Sequence, residues 1–241
     1  MNFLILLKVT FLKLISRRKI KLLSLTNSPK FLILMHQNIG DMIVCSPILR
    51  EIKIAFPNSN LQVIASQTNK DIALVNPYID NVHIYKNRWH RLLPLLLQFR
   101  RVNFDVAIEL EAKIVTRVIL MLKVIKPNCI LSVTKVVGRY GLDPQDVSPY
   151  DYYTDSKLKH QRDTCLDILR LLNIKCNSKK YDVFYLEKNK KKSLSFLSSF
   201  DSSKIIVGLN ISGSSHGNRI FDIDVKKIAF GLNSMSNDIL I

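Results

Sequence analysis

Acidic residues are scarce: 19 Asp and Glu stand against 36 Lys and Arg, a formal net charge of +17 over 241 residues. A surplus of that size implies an anionic partner, without choosing between nucleic acid, acidic lipid and phosphorylated sugar. Glycine and proline are also few, at 7 and 8 residues, which excludes collagen-like or linker-rich architecture. The four cysteines, Cys45, Cys129, Cys165 and Cys176, form no C-x-x-C pair and sit in apolar or helix-like contexts, as free thiols in a reducing compartment would. The five histidines are dispersed, with no H-E-x-x-H and no His/Cys cluster, so no metal site is expected. No uncharged run approaches the ~20 residues of a transmembrane helix. The N-terminus has neither the charge order nor the small residues of a secretory signal.

What is present is a folded-protein composition, 47% apolar, in a chain long enough for one large α/β domain or two small ones. Residues 1–30 form a basic amphipathic segment. As a helix, it places Leu4, Leu7, Phe11, Leu14, Ile15 and Leu22 on one side, with most of Lys8, Lys13, Arg17, Arg18, Lys19 and Lys21 elsewhere. That pattern suits either a helix in the interface of an anionic membrane or a helix packed on the following domain.

From residue 31 the chain alternates β-rich runs with helix-periodic stretches. Strands are expected at Phe31–Met35, Leu61–Ala65, Val82–Tyr85, Phe104–Leu110, Cys129–Val133 and Tyr181–Leu186. Between them fall a helix ended by Pro57-Asn58, a basic helix over Arg88–Arg101, and helices near Lys113–Ile125 and Lys157–Leu172. This rhythm implies βαβ crossovers and a parallel sheet covered on both faces, a Rossmann-like α/β domain over 31–187. The run Lys188–Lys192 opens a linker or solvated helix. Lys204–Leu209 begins a new strand with its helix at Asp222–Leu232, so 188–241 reads as a linker and the incomplete start of a second domain.

Ligands of open parallel sheets bind beyond the carboxyl ends of the strands, and two polar loops fall there. In His36-Gln37-Asn38-Ile39-Gly40-Asp41, Gly40 permits a tight turn and Asp41 lands at a helix N-terminus, which favours a carboxylate. A capping role alone would account for Asp41. The second loop runs from Asn210 through Ser212, Gly213, Ser214 and Ser215 to Arg219. Its hydroxyls, glycines and one cation make a candidate phosphate cradle, though it matches no P-loop or G-x-G-x-x-G pattern. A plain surface loop is the bland alternative.

The order of these pieces resembles glycosyltransferase family 9, the lipopolysaccharide heptosyltransferase-like enzymes. The resemblance rests on Ile39-Gly40-Asp41 with Pro47 and Ile48-Leu49-Arg50, then Phe56-Pro57-Asn58, Asn76-Pro77-Tyr78-Ile79-Asp80, Phe104-Asp105-Val106-Ala107-Ile108, and Val207-Gly208-Leu209-Asn210-Ile211-Ser212. It implies the N-terminal half of a glycosyltransferase-B fold with only the start of the nucleotide-sugar domain, as in a C-terminally truncated member.

The resemblance further implies inverting transfer of heptose from ADP-heptose to an anionic lipopolysaccharide-core acceptor, with no activity expected of the chain alone if it ends at residue 241. No metal or cofactor is implied beyond the nucleotide-sugar substrate, and the setting is cytoplasmic or peripheral on the inner face of the membrane. Asp41 becomes the general base. Asn210, Ser212, Gly213, Ser214, Ser215 and Arg219 become the donor-phosphate site. Gly40, Lys113, Arg117, Arg139 and Arg162 become acceptor-side candidates, although for each of the four cations taken singly a solvated helix face is the better explanation. Phe221 departs from the family's usual Trp-Pro. Two other classes compete: a non-catalytic remnant binding anionic glycolipid at a membrane, and a basic nucleic-acid-binding α/β protein. The latter has the charge but no recognition motif, so no nucleic-acid partner is expected.

Overall fold

The structure, a computed structural model, describes residues 3–16, 19–35, 38–85, 88–135, 149–154, 160–210, 221–235 and 239–240. The chain divides into two compact units, Met1–Phe184 and Tyr185–Ile241.

The first unit is built on six parallel strands: β1 (Lys30–Met35), β2 (Asn60–Ala65), β3 (Asn81–Ile84), β4 (Val106–Glu109), β5 (Cys129–Ser132) and β6 (Tyr152–Tyr153). Their order across the sheet is β3-β2-β1-β4-β5-β6. This is the doubly wound order of Rossmann-like domains, with its reversal between β1 and β4. The helices are α1 (Phe3–Ser16), α2 (Ile39–Ala55), α3 (Lys70–Leu74), α4 (Trp89–Val102), α5 (Thr116–Ile125) and α6 (Gln161–Leu171).

The central strands β1, β4 and β5 are mostly apolar because both faces are covered. Along β1, Phe31, Ile33 and Met35 enter one core cluster with Ile48, Leu49 and Ile52 of α2 and Ile168 and Leu169 of α6. The alternate residues Leu32 and Leu34 enter the other, with Leu92, Leu96 and Phe99 of α4 and Val118, Met121 and Leu122 of α5. Each fully buried side chain of this size contributes roughly 1.5–3 kcal/mol. A third, smaller cluster lies outside the second layer, where Leu12 of α1 packs on Ile114 and Ile119. α1 therefore docks on the domain through Leu12, Val9 and Ile15, while Leu7, Phe11 and Leu14, on the side the periodicity singles out, stay exposed. Leu22 lies beyond the end of the helix.

α2 carries Pro47 in its interior. Proline has no N–H to give the carbonyl one turn back, and Ser46 Oγ donates to Ile43 O at 2.7 Å instead. The strand starts are pinned by carboxylates. Asp80 accepts from Leu61 N at 2.6 Å and pairs with Lys53 at 2.6 Å. Asp105 accepts from Lys30 N at 2.8 Å, and Asp151 accepts from Ile130 N at 2.7 Å and Lys21 N at 2.9 Å.

Tyr181–Leu186 is not a strand, contrary to its β-rich composition. The segment before and within it is held by α2 side chains rather than by a sheet edge. Arg50 donates to Ser178 O at 2.5 Å and Lys180 O at 3.1 Å and pairs with Asp182, whose own N–H donates to Ser46 Oγ at 2.8 Å. Glu51, fully buried, accepts from Asn177 N at 2.9 Å and Ser178 N at 3.2 Å.

In the second unit, α7 (Glu187–Leu197) buries none of its residues. Strands β7 (Ile205–Ile206) and β8 (Ile239–Leu240) pair in parallel, with α8 (Asp222–Met235) between them in sequence. The strand expected over Lys204–Leu209 is thus two residues long.

Candidate active site

Asp41 occupies the first turn of α2, immediately beyond the carboxyl end of β1 and so beside the sheet's reversal point. Its Oδ2 accepts from Asn38 N at 3.1 Å, which closes the first turn. Its Oδ1 accepts from Gln161 Nε2 at 3.1 Å, at the start of α6. A carboxylate with one such bond to each oxygen still has lone pairs to accept a proton.

Gly40 is not required by the backbone. It lies inside α2 with a negative φ, and a Cβ there would meet nothing within 4 Å. The surface beside it, next to Asp41, is open among the described residues.

The carboxyl end of β4 lies across the reversal point from β1 and holds a buried ionic cluster that sequence reasoning missed. Glu109 is 1% exposed and pairs with Lys135, which also donates to Glu111 O. Ser132 Oγ donates to Glu109 Oε2 at 3.0 Å, and Glu111 N donates to Glu109 Oε1 at 2.9 Å. The Lys135 ammonium lies 4.7 Å from the centre of the Tyr150 ring. Burial pulls Lys135 below the ordinary lysine range, opposed by the charge of Glu109. Burial, with Glu109 adding to it, pushes the Tyr150 phenol well above its ordinary value. The signal available in the sequence was a carboxylate ending an apolar strand, where burial demands a partner.

The acceptor-side candidates have separate settings. Lys113 is exposed in the β4–α5 connection, its N–H donating to Glu111 Oε1 at 3.3 Å. Arg117, in the first turn of α5, donates to Tyr85 Oη at 2.5 Å and lies 5.7 Å from that ring's centre. Arg162, in the first turn of α6 next to Gln161, pairs with Asp163 at 3.3 Å and lies 5.7 Å from the Tyr181 ring centre. All three stand where a helix begins after a strand, on the carboxyl side of the sheet with Asp41. Asn210, exposed beyond β7, belongs to the second unit. Arg139, Ser212, Gly213, Ser214, Ser215 and Arg219 lie outside the described residues. Among the described residues, no helix is long and apolar enough to cross a membrane.

No family model matches the sequence, and no curated protein matches it. The fold is that of a Rossmann-like domain of the glycosyltransferase-B type, and similar solved structures carry that class. The chain is similar to the family 9 glycosyl transferase from Veillonella parvula DSM 2008, with 19% identity and a TM-score of 0.64 over 87% of this chain and 62% of that one. It is similar to E. coli heptosyltransferase WaaC with ADP, with 14% identity and a TM-score of 0.59 over 85% of this chain and 63% of that one. E. coli ADP-heptose lps heptosyltransferase II follows at 14% identity and a TM-score of 0.55 over 87% of this chain and 63% of that one. The chain thus spans less than two thirds of the length of each of these three structures.

Proposed function

We propose that this protein serves an inverting glycosyltransferase reaction that moves heptose from ADP-heptose to a hydroxyl of an anionic lipopolysaccharide-core acceptor. The observation that carries the reading is Asp41. It is a part-exposed carboxylate in the first turn of α2 beside the sheet's reversal point, with open space at Gly40, in a fold shared with solved heptosyltransferases.

A sugar hydroxyl is a poor nucleophile at neutral pH. As its oxygen attacks the anomeric carbon, Asp41 accepts the hydroxyl proton, the new C–O bond forms, and the bond to the diphosphate breaks to release ADP. Charge on the departing diphosphate is met by Asn210, Ser212, Gly213, Ser214, Ser215 and Arg219. Gly40 leaves room for the acceptor, and Lys113, Arg117, Arg139 and Arg162 hold its phosphate or acidic groups. The setting is the cytoplasmic face of the membrane that carries the acceptor.

The test is ADP release by the protein isolated from its own cells, with ADP-heptose and inner-core acceptor, wild type against Asp41→Asn. Asparagine keeps one oxygen for the Asn38 N–H and turns a donor NH2 towards Gln161, whose amide can flip to accept it, but it cannot take the proton. A loss of about 100-fold or more in kcat is expected. A rate within about threefold of wild type would remove Asp41 from the base role, and no transfer by the wild type would remove the reading itself.

A further inference from the structure

Glu109 ends β4 and Lys135 follows β5, so both stand at the carboxyl end of the sheet with Asp41. Their side chains are 1% and 0% exposed, which keeps both out of reach of a ligand arriving from solvent. What they do reach is the chain that leaves β4. A lysine ammonium has three N–H donors. One goes to Glu109 Oε2 and another to the main-chain oxygen of Glu111. Glu109 Oε1 accepts from Glu111 N at 2.9 Å, and Glu111 Oε1 accepts from Lys113 N at 3.3 Å. The N–H and the C=O of Glu111 are thus both held by one buried pair, and Lys113, exposed two residues on, is tied to it through the Glu111 carboxylate.

Stability alone does not account for an ion pair in this place. Each ion loses its hydration, and well-packed apolar side chains of similar volume commonly give a fold as stable or more so. An apolar residue at 135 could not donate to the Glu111 carbonyl, and no residue but a cation could do so while balancing Glu109. The pair therefore supplies direction: it fixes the path of residues 110–115, the connection from β4 to α5.

We infer that Lys135, acting through Glu109 and Glu111, is a positioning residue that clamps the β4–α5 connection and so sets where the Lys113 ammonium meets an anionic group of the acceptor. The identity of the ligand follows from the transferase reading proposed for Asp41, while the clamp itself stands on the hydrogen bonds alone. A cation on a loose connection loses backbone freedom when it binds, and a connection already fixed has little left to lose. The clamp accordingly acts on acceptor affinity, whereas proton transfer belongs to Asp41.

The experiment uses the double variant Glu109→Gln/Lys135→Met, which leaves no uncompensated buried charge, keeps an acceptor for Glu111 N and removes the donor to Glu111 O. Amide hydrogen exchange followed by mass spectrometry should show residues 110–115 exchanging at least ~10-fold faster, with β1 and the body of α2 unchanged. In transfer assays on protein isolated from its own cells, KM for the acceptor should rise about 10-fold. KM for ADP-heptose and kcat should stay within about threefold of wild type. Lys113→Ala should raise the acceptor KM as well. Adding the double variant to Lys113→Ala should then raise it less than about threefold further, since the clamp acts through that side chain.

Unchanged exchange over 110–115 would overturn the clamp. Faster exchange with an unchanged acceptor KM, or a loss confined to kcat, would overturn its part in acceptor binding. Full additivity with Lys113→Ala would overturn the route through Lys113. No transfer by the wild type would remove the transferase reading and with it the acceptor role, and the exchange would still decide the clamp.

Discussion

Gln161 Nε2 donates to Oδ1 of Asp41 at 3.1 Å, joining the first turns of α6 and α2 across 120 residues of sequence. The bond aims a carboxylate already fixed on its other oxygen by Asn38 N, so Gln161 is a positioning residue for Asp41. Gln161→Ala should lower kcat several-fold while leaving KM little changed. It should cost only about 0.5–1 kcal/mol of stability, the net worth of one exposed hydrogen bond. Urea unfolding and steady-state kinetics on the same variant separate the two effects.

Gly40 allows a cleaner separation of stability from binding. A methyl group there meets no atom within 4 Å, and the residue is helical. Gly40→Ala is therefore expected to raise stability by about 0.5–1 kcal/mol. If the acceptor approaches the helix N-terminus as proposed, the same variant should raise KM for the acceptor. A stabilised protein with unchanged KM would move the acceptor away from Gly40.

The buried Glu109–Lys135 pair predicts strong non-additivity. Both side chains are almost wholly out of contact with water, so Glu109→Gln leaves a buried ammonium, and Lys135→Met leaves a buried carboxylate with only Ser132 Oγ and Glu111 N as donors. Each change is expected to cost about 3 kcal/mol. The double variant should cost clearly less than the two together, because no uncompensated charge remains. Denaturant unfolding of the three variants measures the coupling.

Stability should fall in acid in two stages. Burial holds the His83 imidazole below its ordinary value, between Gln62 at 2.9 Å and the Phe99 ring. The folded state therefore binds this proton less readily than the unfolded chain, and stability is lost as pH falls below about 6.5. For Glu51, burial opposes ionisation. The donors Asn177, Arg50 and Ser178 outweigh it and hold the carboxyl below the usual range. Its contribution is present above the ordinary glutamate value of about 4.3 and is lost as pH falls through the lower folded value. Urea midpoints from pH 8 to 3 should show both steps, with His83→Gln removing the first and Glu51→Gln the second.

Thiol labelling should distinguish the cysteines. Cys45 Sγ and Cys165 Sγ lie 3.0 Å apart between α2 and α6, and Cys129 is buried in β5. Hydrogen bonding to Cys165, then burial, pushes the Cys45 thiol well above its ordinary value, so little thiolate is available there. Cys176 is part-exposed. Alkylation of the native protein followed by mass spectrometry should modify Cys176 first and the other three only on unfolding.

Local sequence determined the first five strands of the sheet, though neither β6 nor the absence of a strand at Tyr181–Leu186. Continuous apolar runs over β1 and β4 require cover on both faces, and the strand–helix rhythm requires parallel crossovers. The position of Asp41 at the head of α2 was likewise legible from Gly40-Asp41 following an apolar strand.

Tertiary structure alone decided which acids hold the starts of strands and which stand at the carboxyl end of the sheet. Asp80, Asp105 and Asp151 look no different from Asp41 in sequence, yet each accepts backbone N–H groups at or near the start of a strand. The amino ends of a parallel sheet have unpaired donors that only a distant side chain can satisfy. The same holds for Tyr181–Leu186, whose β-rich composition is overridden by bonds to Ser46, Arg50 and Glu51 across more than a hundred residues. The pairing of Gln161 with Asp41 and the packing of Leu12 in α1 on Ile119 in α5 are contacts of the same kind. No local pattern encodes them, because they exist only once the sheet has brought distant segments together.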